Sequence, residues 1–229
     1  MAPPTPLDAS ADLLNLLQSL HSQSLSQEAG VDFSTLPPQT TDAFDSVVRD
    51  KFIALDQDKC ELVYQILRST NATTVVEAGT SFGVSTIYLA LAVAQNAALH
   101  KDASAEPKGR VIATEKEPSK ASQAQAYWAQ AGAEIEGVID LRVGDLRETL
   151  ASNMGTVDFL LLDIWTPLAL PALKLVEPYF RPGAVIMADN TIKAAAGYRD
   201  LFAYLDAPGS LFRRVTLPYA GGFDMIVYR

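Results

Sequence analysis

Leucine recurs at helical spacing near the start of the chain. Leu13, Leu17 and Leu20 fall on one face, with Leu14, Leu16 and Leu25 beside them. Asn15, Gln18, Ser19, Ser22 and Gln23 fall opposite, and Asp8 or Ser10 stands where a helix cap belongs, so the pattern predicts a helix to about Ser26. His21 is expected on the polar side. Pro37-Pro38 marks a linker, and two more helices are predicted over about 41–53 and 56–69. From residue 74 onward the period changes. Short apolar, β-branched runs over 74–78, 110–114, 138–143, 157–162 and 183–187 read as strands. They alternate with helical patterns over 84–95, 119–131, 146–152, 168–178 and 195–205. Runs over 211–217 and 223–228 flank Pro218-Tyr-Ala-Gly-Gly222 and predict an antiparallel hairpin. The polar stretch 96–109 reads as a surface insertion.

Alternating strand and helix predicts an α/β fold: a Rossmann-like, doubly wound, seven-stranded sheet, mostly parallel, closed by a C-terminal antiparallel hairpin. Helices should cover both faces, with extra helices at the N-terminus. Val157-Asp-Phe-Leu-Leu-Leu162 is apolar enough to be buried on both sides, as a central parallel strand must be. In such a sheet, ligands bind beyond the carboxyl ends of the strands, so strand-end residues carry the functional information.

Composition narrows the chemistry. The chain has 229 residues, of which 48% are hydrophobic and 20% charged, which excludes wholesale disorder and allows one domain more readily than two. Eighteen basic against 27 acidic residues give a net charge of −9, unfavourable for nucleic acid or an anionic membrane surface. One cysteine, Cys60, excludes an internal disulfide and a Cys-based zinc cluster, and its apolar neighbours suggest a buried thiol. His21 and His100 are the two histidines, and neither falls at a strand end. No secretory signal and no membrane-length apolar stretch is visible, so a cytoplasmic protein is the expectation.

Five strand ends are chemically pointed. Glu77-Ala-Gly-Thr-Ser-Phe-Gly-Val-Ser85 is a glycine-rich turn between strand and helix, and Gly79 and Gly83 let backbone approach a ligand. The spacing is G-x-x-x-G, not the G-x-G-x-x-G of a dinucleotide grip, which argues against a nicotinamide dehydrogenase. Glu115 ends the second strand, where a carboxylate can accept from both hydroxyls of a ribose. Gly144-Asp145, Asp163 and Asp189-Asn190 end the next three.

This combination resembles the class I S-adenosylmethionine-dependent methyltransferases, and more closely the cation-dependent catechol and caffeoyl-CoA O-methyltransferases. The matching segments are Val75-Val-Glu-Ala-Gly-Thr-Ser-Phe-Gly-Val-Ser-Thr86, Ala113-Thr-Glu-Lys-Glu-Pro118, Val143-Gly-Asp145, Asp158-Phe-Leu-Leu-Leu-Asp163 and Met187-Ala-Asp-Asn190. The resemblance implies S-adenosylmethionine as cofactor, with Glu77, Gly79, Ser81 and Ser85 around its amino acid end, Glu115 on the ribose and Asp145 beside the adenine. It also implies Asp163, Asp189 and Asn190 as ligands of a divalent cation such as Mg²⁺, with Asp163 at the reacting centre and Trp165 as a wall of the acceptor pocket. A methyltransferase domain over 41–229 then follows a tail and helix over 1–40, the helix serving as a homodimer contact or an active-site lid.

One departure stands out. The family places a lysine base three residues after the first aspartate; here the segment is Asp163-Ile-Trp-Thr166, and Thr166 cannot serve. Ionising a phenol of pKa near 10 at neutral pH costs about 4 kcal/mol, whereas a carboxylic acid is already ionised. The preferred acceptor on this reading is therefore a small carboxylate, giving a methyl ester, with Lys193 as the cation that holds it in the reacting position and Tyr198 lining the same mouth. Cation-dependent methylation of a phenol or catechol, and a non-catalytic cofactor-binding module, are the alternatives. A small-molecule acceptor is expected in the catalytic cases, with no nucleic acid and no membrane partner.

Overall fold

The computed structural model describes residues 5–32, 35–37, 39, 41–99 and 109–229. Of the surface insertion expected over 96–109, residues 96–99 are helical and Asn96 is buried, while 100–108, with His100, lie outside the described residues. Along the chain come α1 (Ala11–Glu28), α2 (Asp42–Val48), α3 (Gln57–Thr70), β1 (Thr74–Ala78), α4 (Val84–Leu99), β2 (Arg110–Glu115), α5 (Pro118–Ala131), α6 (Ala133–Glu136), β3 (Ile139–Val143), α7 (Leu146–Thr149) and β4 (Val157–Leu162). Then follow α8 (Thr166–Val176), a short 3₁₀ turn, β5 (Phe180–Asp189), α9 (Arg199–Leu205), β6 (Phe212–Leu217) and β7 (Phe223–Tyr228).

The seven strands form one sheet in the order β3-β2-β1-β4-β5-β7-β6. The first five are parallel, and β7 runs antiparallel between β5 and β6. This is the expected doubly wound sheet with its C-terminal hairpin. Successive residues of the central strands point to opposite faces, so the β-branched runs feed two cores at once. Val75, Val111, Phe159, Leu161 and Met187 join α1, α3, α4 and α5 on one side. Val76, Ile112, Leu160, Leu162 and Ile186 join α7, α8 and α9 on the other. Because β1, β2, β4 and β5 are parallel neighbours, Glu77, Glu115, Asp163 and Asp189 emerge at the same edge of the sheet. Among the described residues, no helix is long and apolar enough to cross a membrane.

Three local departures from the sequence pattern bear on the site. His21 is buried, not on a polar face, because its spacing of four from Leu17 puts it on the leucine side of α1, where it shares a 2.9 Å hydrogen bond with Tyr88. The helix α2 ends at Val48, five residues short of the expected limit. Residues 52–54 run extended because α1 supplies their backbone partners: Ser24 Oγ donates to Phe52 O (3.1 Å) and accepts from Ala54 N (2.8 Å), and Gln27 Oε1 accepts from Phe52 N (3.3 Å). Finally, α9 starts at Arg199, not near 195. The backbone N–H groups of Ile192 and Lys193 both donate to Gly221 O at 2.8 Å, which ties the segment after β5 into turns against the β6–β7 connection.

Candidate active site

Glu77, at the end of β1, is completely buried and saturated by the loop that follows it. Thr80 Oγ1 (2.7 Å), Ser85 Oγ (2.7 Å) and Thr86 Oγ1 (2.6 Å) all donate to its carboxylate. Burial pushes this carboxyl up, and the three hydroxyls pull back in the other direction. The geometry makes Glu77 and Ser85 the bracket that shapes the glycine loop; their polar atoms are turned to each other. Gly79 has φ +98°, and a Cβ there would lie 2.0 Å from Asp163 O, so no other residue fits where the loop crosses β4's end. Gly83 has φ +77° and packs against Trp128, whose indole N–H donates to Gly83 O at 3.0 Å.

Glu115 closes the loop from the next strand. Its Oε2 accepts from Ser81 N (2.7 Å) and its Oε1 from Glu117 N (2.8 Å). Each oxygen keeps a further lone pair for a ribose hydroxyl. Burial raises this carboxyl, opposed by the Glu117 N–H and by Lys120. Lys120 itself is depressed by burial and stands 5.5 Å over the Phe82 ring. Asp145 caps α7 by accepting from Arg147 N at 2.9 Å and pairs with the Arg147 guanidinium, which holds its carboxyl below the ordinary range.

The loop faces a strap that the sequence pattern did not single out. Phe52, Ile53, Ala54 and Leu55 form one wall of a narrow cleft, and Gly79–Phe82, Val84 and Ser85 form the other, with Asp163 between them; about 10 Å³ stays open. Phe52 packs at a tilt on Phe82 with ring centroids 4.6 Å apart, and it stacks on Tyr127 at 6.2 Å. The strap is fastened by Ser24 and Gln27, which look like ordinary polar positions in sequence.

Beyond Asp163 lies Asp189, at the end of β5. The Asp163 carboxylate is half-buried, reaches the cleft and takes no hydrogen bond or ion pair among the described residues. Burial, with the charges of Asp189 and Glu77, pushes it well above the ordinary carboxylate range. Asp189 is engaged by a residue the sequence reading overlooked. Lys59, only 1% exposed, comes from the first turn of α3 and places Nζ 2.6 Å from Asp189 Oδ1 and 2.8 Å from Asp56 Oδ2. Burial alone would depress this ammonium, but its two carboxylate partners raise it. A lysine at helical spacing beside Cys60 and Val63 carries no sequence signal of its own; only the fold brings it to β5.

The other candidates separate. Trp165 is half-buried and packs edge-to-face on Phe44, 4.5 Å between centroids. Thr166 Oγ1 donates to Gln39 Oε1 (3.0 Å) and is packed against Gly197. Tyr198 does not line a mouth. It is buried, its hydroxyl donating to Asp189 O at 2.9 Å, so it buttresses the end of β5 from behind. Lys193 is exposed on the turn after Asn190, within the field of Glu28 at the end of α1. Asn190, at φ +56°, donates from Nδ2 to Asp189 Oδ2 (2.5 Å). Its Oδ1 is packed on Gly221, where a Cβ would come within 2.5 Å.

The donor set implied for a divalent cation therefore does not fit as arranged. A magnesium-type ion requires oxygen donors at about 2.0–2.1 Å in near-octahedral array. Here Asp189 Oδ1 holds Lys59, Asp189 Oδ2 holds the Asn190 amide, and the Asn190 oxygen faces Gly221. Among the described residues, no group of three His, Cys, Asp or Glu side chains is placed to hold a metal.

Comparisons with known proteins agree with the fold. A protein named "Probable O-methyltransferase" from Mycobacterium tuberculosis is 29% identical over 161 residues, covering 66% of this chain and 64% of its own length. A catechol O-methyltransferase of Niastella koreensis is 28% identical over 137 residues, covering 58% of this chain and 54% of its own. The chain thus spans less than two thirds of either curated relative. Among solved structures, an O-methyltransferase from Bacillus cereus in complex with SAH superposes with a TM-score of 0.69 at 18% identity, covering 100% of this chain and 93% of that one. The Streptomyces achromogenes O-methyltransferase involved in tomaymycin synthesis, in complex with SAM, gives 0.66 at 22% identity, covering 90% and 98%. These likenesses establish the shared fold. A family model described as a methyltransferase domain matches residues 76–191, just over half of the chain and the stretch that holds the glycine loop, Glu115, Asp163 and Asp189. The chain belongs to this methyltransferase-domain family.

Proposed function

We propose that this chain transfers a methyl group from S-adenosylmethionine to an oxygen of a small acceptor. The observation that carries the reading is the cleft itself: a bracketed glycine loop, an acid at the end of the neighbouring strand, and Asp163 at the far side. The family match and the names of the two curated relatives support it. The cofactor would supply an electrophilic methyl on a sulfonium. Glu115 has lone pairs for the ribose hydroxyls, the backbone at Gly79 and Ser81 can approach the amino acid end, and Asp145 stands beside the segment suited to the base. The Phe52–Leu55 wall lies against the loop, and closure over a bound cofactor would exclude water from the transfer.

The chain supplies orientation more than covalent help. In-line attack by a held oxygen draws chiefly on proximity and electrostatics. The Asp163 carboxyl reaches the cleft and can exchange a hydrogen bond with an acceptor hydroxyl. Lys193, the cation expected to hold an acceptor carboxylate, is exposed on its turn. The "Catechol" in one relative's name supports a hydroxyl acceptor over a carboxylate. No step here is assigned to a divalent cation.

Calorimetry with S-adenosylmethionine and S-adenosylhomocysteine, followed by product mass against panels of phenols, alcohols and carboxylates, tests the reading. Saturable cofactor binding and a mass gain of one methyl on hydroxyl acceptors are expected. Methyl esters alone would restore the carboxylate assignment, and binding with no transfer to any panel would leave a non-catalytic module.

A further inference from the structure

We propose that the Lys59 ammonium is the built-in cation of the acceptor end, holding the face of the Asp189 carboxylate that a divalent ion would need, so that this chain keeps the site together without such an ion. Lysine is almost never fully buried unless paired, and Lys59 is paired twice, to Asp189 and to Asp56, with the Phe223 ring 5.8 Å away. The remaining oxygen of Asp189 takes the Asn190 amide, and the carboxylate's own backbone carbonyl takes the Tyr198 hydroxyl. Asp189 is therefore held on three sides by groups of this chain.

A divalent ion sharing Asp189 would sit within a few ångströms of the ammonium, where like charges repel strongly because little water intervenes. Driving Lys59 off to make room would strand a buried charge. Either route weakens the ion. The arrangement also differs chemically from a bound metal. An ammonium offers donors but no open coordination positions, so it cannot chelate two adjacent oxygens of a catechol. The proposal deepens the O-methyl transfer reading and rests on it for this consequence: the acceptor should be recognised through a single hydroxyl, without bidentate chelation of a diol.

The test uses the full chain without cofactor. Mg²⁺ and Mn²⁺ are titrated by calorimetry into wild type, K59Q and K59R, and melting is recorded with and without EDTA. Wild type and K59R, which keep the charge, should show no saturable binding up to millimolar ion and no response to EDTA. K59Q should bind at least tenfold more tightly and melt higher with the ion. Saturable binding by wild type that K59Q weakens or leaves unchanged would overturn the proposal, and so would a folded K59Q that binds no better than wild type. Should K59Q fail to fold, Mn²⁺ paramagnetic resonance on wild type decides: an undiminished free-ion signal supports the proposal, and a loss of signal reversed in D189N overturns it. Cofactor calorimetry on the same wild-type samples reads the methyltransferase assignment separately, since its failure leaves the ion titrations interpretable.

Discussion

At the cofactor end of the cleft, polar groups find partners close by in the chain. Glu77 is bonded by residues three, eight and nine positions away. At the acceptor end, the central pair joins Lys59 to Asp189 across 130 positions. The first end is a local structure that a short sequence can encode, completed by one strand-end acid. The second exists only once the sheet has brought α3 and β5 together. The difference teaches that the first end is set by a local motif, whereas the second is set by packing across the fold.

Gly79 is where the two ends meet, so G79A should break the comparison most severely. The added Cβ would lie 2.0 Å from Asp163 O and 2.9 Å from its carbon, both backbone atoms of β4's exit, in a φ that L residues avoid. A destabilisation of about 4 kcal/mol or more is expected, with cofactor binding lost and the Asp163 side displaced. G155A is the control. Gly155 has φ +71° and nothing within 4 Å, so it should cost only the conformational strain, about 1 kcal/mol. Urea denaturation and cofactor calorimetry measure both; equal losses would show that the loop tolerates the contact.

E77A should damage the cofactor end alone. It leaves three buried hydroxyl groups without their acceptor, and each unsatisfied group costs about 1–3 kcal/mol, partly offset by relieving a buried carboxylate. A net loss of about 2–3 kcal/mol is expected, with cofactor affinity down at least tenfold, while the cation response of the acceptor end stays that of wild type. E77Q, which keeps an acceptor oxygen, should recover part of both. A variant as stable as wild type, with full affinity, would show that the bracket does not shape the loop.

The same contrast explains what was legible beforehand. The sheet, its hairpin, the loop at Gly79 and Gly83 and the acid at Glu115 were readable because period-2 and helical patterns are local and because glycine at positive φ leaves a mark in sequence. His21 was misplaced even though its spacing from Leu17 put it on the buried face, because a polar residue among leucines invites the opposite reading. Tyr198, in the segment after Asn190, reads in sequence as a mouth residue, but its hydroxyl turns back to Asp189 O. Lys59 and the Phe52–Leu55 strap carried no signal at all. Their roles depend on Asp189, Asp56, Ser24 and Gln27, reached only through the tertiary fold. The Asp163–Asp189–Asn190 set reads in sequence as a cation site, and the ammonium paired with Asp189 is visible only in the fold.

The smallest effect concerns how the strap is held. His21 is buried against Tyr88, and burial holds its pKa below the ordinary value near 6.5, against a weaker pull from Asp56. The sign follows from proton linkage. A histidine whose folded pKa is depressed takes up its proton more readily when unfolded, so its contribution is fully present above about pH 6.5 and is lost as pH falls toward the folded value. Stability should therefore drop between pH 7 and pH 5.5 more steeply in wild type than in H21Q, which keeps a polar partner for Tyr88 and cannot titrate. The difference in slope is bounded by one proton, about 1.4 kcal/mol per pH unit. Because α1 also carries Ser24 and Gln27, the protection factors of Phe52 and Ala54, taken against intrinsic exchange at each pH, should fall over the same range in wild type, while those of β5 amides beside Asp189 stay unchanged. Parallel slopes for the two proteins would separate α1 from the strap, and a matching loss of protection on β5 would show that the two ends loosen as one unit.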